Sequence, residues 1–168
     1  MDAKRRLDEE LRSVSFSAEQ KRHLKKELRD AIANNQLYLV YQPQISYDTK
    51  NVVGVEALLR WKHPELGLIS PDVFIPLAEQ SNHIIEIGEW VLDQACQQLR
   101  IWINDGASDL RMAVNLSAAQ LHHADLLRQV QEKLDMYNLL AGSLELEVTE
   151  TGLMEDIQAA AKNLRGLR

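Results

Sequence analysis

The sequence has 168 residues, 45% of them hydrophobic and 26% charged, which is typical of a globular domain with a core of its own. Its 19 Lys and Arg residues against 25 Asp and Glu give a net charge of −6, and without a basic cluster this disfavours binding to a nucleic-acid polymer. The single cysteine, Cys96, excludes an internal disulfide. No signal peptide or membrane-spanning apolar run is visible, so we expect a cytoplasmic protein, although a larger parent could be membrane-anchored.

Two helical stretches open the chain. Residues 1–14 are densely charged with a thin apolar stripe, and Ser17 with Gln20 forms a capping-box pattern that begins a second helix. Neither stripe is long enough to indicate a coiled coil. We therefore interpret these helices as a linker, either an inter-domain connector or a docking segment.

Two strands follow and are expected to form a hairpin. Residues 37–45 are rich in aromatic and branched side chains, and Pro43 indicates a strand that ends, bulges or lies at a sheet edge, because proline cannot donate to a ladder. The turn-like residues 46–51 lead into a second strand, residues 52–60. So short a connection predicts an antiparallel pair, since parallel strands need a crossover of about a dozen residues.

Two charged residues lie inside the second of these strands. Glu56 and Arg60 interrupt an apolar run, and in an extended chain they share one face with Leu58. Burying either charge is costly unless something compensates for the lost water. One interpretation is an internal Glu–Arg ion pair at a strand end. The other is a cavity in which the carboxylate meets a metal ion and the guanidinium meets an anionic ligand.

The rest of the chain alternates helices and strands. Ser70 and Pro71 begin a short helix, and a longer helix with an apolar stripe packs Cys96 and ends at Gly106. After it the pattern predicts a strand, a helix, a strand and a helix over residues 111–116, 118–139, 144–149 and 151–168. This order is typical of a parallel α/β sheet.

Polar residues stand at the ends of these strands. Asn115 belongs to one strand end and Glu147 to the next, with Glu150 just beyond it. In barrels of alternating strands and helices the active site lies at the carboxyl ends of the strands. Together with Glu56, these residues supply carboxylate and carboxamide oxygens, which suit Mg²⁺ or Mn²⁺. Taken singly, Asn115 is explained as a helix-capping turn residue and the glutamates as solvated acids; their coincidence favours a metal site.

The histidines do not add to this site. His122 and His123 are adjacent on a predicted helix, where their side chains diverge, and we expect them at the surface. His63 is expected in a loop. The sequence also has no Gly-rich phosphate loop, nucleophile elbow or paired-cysteine motif, which argues against the usual nucleotide folds, serine hydrolases and zinc ribbons.

Five motifs occur in order along the chain, and together they resemble the EAL domain, the bacterial phosphodiesterase of the second messenger cyclic di-GMP. They are Tyr-Gln-Pro at residues 41–43, Glu-Ala-Leu-Leu-Arg-Trp at 56–61, the run 71–79, Val-Asn-Leu-Ser at 114–117 and Glu-Leu-Glu-Val-Thr-Glu at 145–150. The resemblance extends from about Leu28 to the last residue. It implies a modified (β/α)₈ barrel whose first strand runs antiparallel to the others.

The resemblance also implies a metal site and a reaction. Its metal ligands would be Glu56, Asn115 and Glu147, binding Mg²⁺ or Mn²⁺. Its catalytic residues would be Glu56 and Glu150, the latter by steadying the loop after the next strand. The implied reaction is metal-assisted hydrolysis of one phosphodiester bond of cyclic di-GMP, which gives the linear dinucleotide.

Substrate binding is implied for two further residues, with Arg60 meeting a phosphate and Gln42 helping to hold the dinucleotide. The family's Asp-Asp-Phe-Gly loop, its later lysine and its later glutamate have no counterpart in this sequence. We therefore expect a partial barrel of about four strands out of eight, which carries half of the metal site and is inactive by itself.

Three functions remain open at this stage. The complete parent is a cyclic di-GMP hydrolase, or the chain is a non-catalytic receptor of the dinucleotide, or it is an interaction module. The strand at residues 144–149 would keep an unpaired edge, which predicts a homodimer. The N-terminal helix fits a connector to an upstream sensory, response-regulator or cyclase domain.

Overall fold

A computed structural model describes residues 16–148 of the chain. They form two units, one made of residues 16–38 and 59–83 and the other of residues 39–58 and 84–148. We refer to them as the first and the second unit. The helices predicted over residues 1–14 and 151–168 lie outside the described residues.

The elements alternate much as the sequence predicts. The helices are α1 (Ala18–Glu27), α2 (Pro71–Gln80), α3 (His83–Asn104), α4 (Ala118–Leu121) and α5 (Leu126–Met136), with 3₁₀ turns at Leu28–Asp30 and Ala141–Ser143. The strands are β1 (Leu37–Ile45), β2 (Val52–His63), β3 (Gly67–Ile69), β4 (Arg111–Leu116) and β5 (Leu144–Val148). The described sheet has the order β1-β2-β4-β5, with β3 beside β2. Among these helices, none is both long and apolar enough to cross a membrane.

The first unit is built around Trp61. This side chain is 0% exposed, its ring meets the edge of the Phe74 ring at a centroid distance of 5.7 Å, and its Nε1 donates to Gln36 Oε1 at 3.1 Å. Helix α1 packs against α2, and the predicted capping box of Ser17 and Gln20 opens it. The buried polar tip of the indole is thus satisfied, which lets the large ring fill the core.

His63 ends β2 and does not lie in a loop, so that prediction was wrong. Its side chain is 3% exposed, and its Nδ1 accepts from the backbone N–H groups of Glu65 and Leu66, each at 3.2 Å. The ring proton therefore sits on Nε2, which donates to Glu27 Oε2 at 3.0 Å. The strand continues beyond Arg60 because it pairs with β3, which the sequence analysis did not predict.

The second unit contains the parallel part of the sheet. Strands β2, β4 and β5 run parallel, with Ala57 beside Val114 and Val114 beside Leu146. Strand β1 neighbours β2, and the turn between them is closed by the hydrogen bond from Ser46 N to Asn51 O at 2.9 Å. So short a connection makes β1 antiparallel to the other strands, in agreement with the sequence prediction.

One face of this sheet is covered by helices. Tyr41 of β1 meets Trp102 of α3 edge to face at 4.9 Å, and the buried Met112, Val114 and Leu116 alternate along β4 on one side of the strand. Helices α3 and α5 are joined by polar contacts on Asp93, whose Oδ1 accepts from Lys133 Nζ at 2.8 Å and from Tyr137 OH at 3.1 Å. On the opposite face, β4 presents Arg111, Ala113 and Asn115, and this is the face where the polar residues lie.

The helix predicted over residues 118–139 is broken into α4 and α5. The side chain of His123 accepts from the backbone N–H of Asp125 at 3.3 Å, which satisfies a donor that an uninterrupted helix would direct to residue 121. His122 and His123 follow α4, and both side chains are partly exposed. The break follows directly after the short helix that leads away from β4.

Cys96 is fully buried in α3, as the helical stripe predicts. Burial, and after it the negative charge of Asp93, raises the pKa of this thiol from 9.0 to about 12. Because the unfolded chain loses the thiol proton at a lower pH than the folded chain, the free energy of unfolding should fall as the pH rises from 9.0 towards about 12.

At mildly alkaline pH we expect iodoacetamide to leave the folded chain unmodified and to alkylate Cys96 after unfolding in urea, as mass spectrometry would show. Rapid alkylation of the folded chain would contradict this burial.

Candidate functional site

The polar face of the sheet brings three of the predicted residues together. In the register of the parallel strands, Glu56 pairs with Ala113, Ala113 with Glu145, and Asn115 with Glu147. Residues two apart on a strand share a face. Glu56, Asn115 and Glu147 therefore lie on one face of three adjacent strands, near the carboxyl ends of β4 and β5.

Asn115 is hydrogen-bonded to Glu56, and it does not cap a helix. Its Nδ2 donates to Glu56 Oε1 at 2.8 Å. The residue that caps α4 is Ser117, whose Oγ accepts from the backbone N–H of Gln120 at 3.3 Å. The capping alternative for Asn115 is therefore wrong, and the diagonal contact across two strands fixes the orientation of both the carboxamide and the carboxylate.

The carboxylate of Glu147 lies in a strongly negative environment. Burial, followed by the negative charges of Glu56 and then Glu145, raises the pKa of Glu147 above its ordinary value. Desolvation and like charge act in the same direction, since both disfavour the ionised form. A cation bound between these carboxylates would favour the ionised form and so oppose both effects.

Four further polar residues share this face of the sheet. Arg111 and Glu145 approach to 3.9 Å at the amino ends of β4 and β5. Gln44 lies over Gly54, where a Cβ atom would be 2.7 Å from the Gln44 Oε1 atom; because residues two apart share a face, Gln42 points to the same side as Glu56. Glu145 was not among the predicted site residues, although the Leu-Glu-Leu-Glu-Val alternation of β5 places it on the same face as Glu147.

Two further predicted site residues are Arg60 and Glu150. Arg60 is part of the first unit, where its Nη1 donates to the backbone oxygen of Leu59 at 2.9 Å. Its Nε is buried without a hydrogen-bond partner among the described residues, which leaves a charged donor for which a ligand is the natural acceptor. Glu150 lies outside the described residues.

The donor set fits a hard divalent cation. Within residues 16–148 there is no group of three or more His, Cys, Asp or Glu residues placed to hold a metal ion. The cluster instead offers two carboxylates and one carboxamide, and Asn115 can hold Glu56 through Nδ2 while offering Oδ1 to a cation. A small protein ligand set that leaves positions for water and phosphate oxygens is what Mg²⁺ prefers.

Comparison with known proteins identifies the family. The EAL domain family matches residues 25–168. This chain belongs to the EAL domain family. It is 46% identical over 148 residues to the bifunctional diguanylate cyclase/cyclic di-GMP phosphodiesterase MucR of Pseudomonas aeruginosa, covering 88% of the chain and 22% of MucR. The cyclic di-GMP phosphodiesterase NbdA of the same species is 41% identical over 157 residues, covering 94% of the chain and 20% of NbdA. The chain thus spans about a fifth of the length of these relatives.

Solved EAL structures confirm the predicted fold class, an α/β partial (β/α)₈-type barrel. The PaMucR phosphodiesterase in complex with c-di-GMP matches with a TM-score of 0.82 and 47% identity, over 86% of this chain and 59% of that one. The EAL enzyme Bd1971, in a form bound to cAMP and cyclic-di-GMP, matches with a TM-score of 0.81 and 31% identity, over 98% of this chain and 46% of that one. The segment described here is therefore an EAL fold in part.

Proposed function

We propose that this EAL domain supplies the first metal ligands and part of the substrate site of a cyclic di-GMP phosphodiesterase. The observation that carries the proposal is the alignment of Glu56, Asn115 and Glu147 on three adjacent strands, with Asn115 hydrogen-bonded to Glu56 at 2.8 Å. The similarity to MucR and NbdA supports the choice of substrate. We propose residues 28–168 as the barrel portion and residues 1–27 as a linker.

In this proposal the three strand residues hold Mg²⁺ or Mn²⁺. Such an ion, when bound, lowers the pKa of a coordinated water and neutralises charge that develops on the phosphate. Glu56 and Glu147 supply negative charge, and a cation between them would offset the repulsion that Glu147 experiences from Glu56. Asn115 keeps the Glu56 carboxylate in one orientation through its Nδ2 hydrogen bond, so that the ligand oxygens are arranged before the ion arrives.

The substrate residues in the proposal are Arg60 and Gln42. Arg60 would meet a phosphate of cyclic di-GMP, and its buried Nε without a described partner supports an anionic ligand. Gln42 would help to hold the dinucleotide from the face that it shares with Glu56. Glu150 would act through the loop after the next strand of a complete barrel.

We further propose that hydrolysis needs groups that this sequence does not supply. The Asp-Asp-Phe-Gly motif implied by the family resemblance does not occur in it, and the chain covers 59% of the MucR domain structure. In the parent protein these groups would come from the rest of the barrel. A second copy of this chain also lacks the motif. A homodimer joined at the β5 edge should therefore remain inactive unless other residues of the partner copy take the place of the missing groups.

The test is a chimera in which residues 25–168 replace the matching segment of the MucR phosphodiesterase domain. We expect the chimera to convert cyclic di-GMP to the linear dinucleotide in the presence of Mn²⁺ and to stop when EDTA removes the metal. We expect the chain alone to form little or no product under the same conditions. The matched controls are the intact MucR domain and the buffer with Mn²⁺ alone.

The outcomes separate the competing functions. A folded chimera that binds cyclic di-GMP without cutting it would overturn the catalytic proposal and indicate a receptor. A folded chimera that neither binds nor cuts would favour an interaction module. Product from the chain alone, sensitive to the Glu56→Ala substitution, would show that the groups we regard as missing are replaced, most simply across a dimer whose formation sedimentation would detect.

A further inference from the structure

The end of β4 that carries Asn115 is held by a buried glutamine. Gln120 is 7% exposed, and its Oε1 accepts from the backbone N–H of Ser117 at 3.1 Å. In return the Ser117 Oγ accepts from the backbone N–H of Gln120 at 3.3 Å. This closed pair of hydrogen bonds begins two residues after Asn115 and fixes the path of the chain as it leaves the strand.

Gly88 of α3 provides the space for this glutamine. A Cβ atom at Gly88 would lie 2.5 Å from Gln120 Cδ and would clash with the amide nitrogen of the same side chain. Gly88 is buried inside the helix, where glycine is otherwise unfavourable by about 0.5–1 kcal/mol relative to alanine. The absence of a side chain at this position is therefore explained by the close approach of Gln120.

These contacts connect α3 to the cluster of Glu56, Asn115 and Glu147 through a short series of neighbouring residues. Gly88 leaves room for the Gln120 side chain, Gln120 holds Ser117, and Ser117 fixes the strand end on which Asn115 donates to Glu56. We propose that Gly88 and Gln120 are positioning residues for Asn115. Neither needs to touch a metal ion or substrate. The relevance of this positioning to catalysis rests on the proposed function, whereas the positioning itself does not.

The first experiment observes Asn115 directly by NMR of the 168-residue chain. The side-chain amide protons of Asn115 report its hydrogen bond to Glu56, and the Glu56→Ala variant gives their reference position without that bond. We expect Gly88→Ala and Gln120→Met to shift these signals towards the reference. Gly142→Ala is the matched glycine control, because a Cβ atom there meets nothing within 4 Å, and it should leave the signals in place.

The second experiment separates positioning from a purely structural role. The double variant Gly88→Ala/Gln120→Ala removes the steric conflict, so its thermal midpoint should recover relative to Gly88→Ala alone. The Asn115 signals should stay shifted, because the backbone N–H of Ser117 has lost the Gln120 Oε1 acceptor. Mn²⁺ titrated into the wild-type chain and the variants should bind about 10- to 100-fold more weakly to those with shifted signals. Unshifted Asn115 signals in Gln120→Met and in the double variant would overturn the proposal.

The two proposals fail in different ways. If the wild-type chain binds no Mn²⁺, the proposed metal site is wrong, while the NMR shifts still decide whether Gly88 and Gln120 position Asn115. If Mn²⁺ binds equally to the wild type and to every variant whose signals shift, the positioning has no bearing on the metal site and the link to catalysis is overturned.

Discussion

Replacing Glu56 by glutamine is expected to weaken Mn²⁺ binding by more than about 100-fold. Changing a residue that only supports a metal ligand already lowers metal affinity by about 10- to 100-fold, and in our proposal Glu56 is itself a ligand. The substitution keeps the size of the side chain and leaves an oxygen that can accept from Asn115 Nδ2, as Glu56 Oε1 does at 2.8 Å. It removes the negative charge. Calorimetric titration of Mn²⁺ into the chain measures the affinity, and product formation by the MucR chimera should fall at least as much.

Glu145→Gln is the matched control for this experiment. Glu145 is also a glutamate on the same face of the sheet and is level with Glu56 in the strand register, but it lies two strands away, and its carboxylate approaches Arg111 at 3.9 Å. We expect at most a few-fold change in Mn²⁺ affinity, through the weak influence of this charge on Glu147. Equal losses in Glu56→Gln and Glu145→Gln would show that general negative charge, and not a specific ligand, attracts the cation.

Replacing Trp61 by alanine should destabilise the chain by about 3–5 kcal/mol, the usual cost of removing a large buried aromatic side chain. Trp61 is fully buried, packs on Phe74 and satisfies its indole N–H on Gln36. The variant therefore leaves both a cavity and an acceptor without its donor. Urea denaturation followed by far-ultraviolet circular dichroism gives the change in the free energy of unfolding without relying on tryptophan fluorescence.

Leu140→Ala controls for loss of apolar surface in general. Leu140 is 82% exposed, so its truncation should change the free energy of unfolding by no more than about 0.5 kcal/mol. A loss of similar size in both variants would mean that Trp61 contributes no more to folding than an exposed leucine, and the description of the first unit would have to be revised.

Much of the fold follows from local signals in the sequence. The six residues between β1 and β2 are too few for a crossover, which makes the hairpin predictable from its length. Gly106 ends α3 with a φ of +106° and is followed by a hydrogen bond from Ala107 N to Trp102 O at 2.9 Å, the helix-ending geometry that glycine favours. The side-chain period of two also places Asn115 and Glu147 on one face once their strands are neighbours.

The features that the sequence did not reveal depend on contacts between distant residues. The buried position of His63 is set by Glu27 and by the pairing of β2 with the three-residue strand β3, which is too short to show a periodic pattern. No local pattern in the sequence could decide whether Glu56 and Arg60 form the ion pair that we considered. The structure instead pairs Glu56 with Asn115, 59 residues further along the chain, and only the strand register brings these two side chains together.

The reversed direction of β1 determines where the chain can be modified. Because β1 is antiparallel to β2, the turn at residues 46–51 lies at the amino ends of the parallel strands, whereas Asn115 and Glu147 lie near their carboxyl ends. Tyr47 in this turn is 86% exposed, and exposed turns of this kind are the places where inserted sequence disturbs a fold least. A fluorescent reporter or an affinity tag joined at this turn would extend from the end of the strands opposite to Asn115 and Glu147.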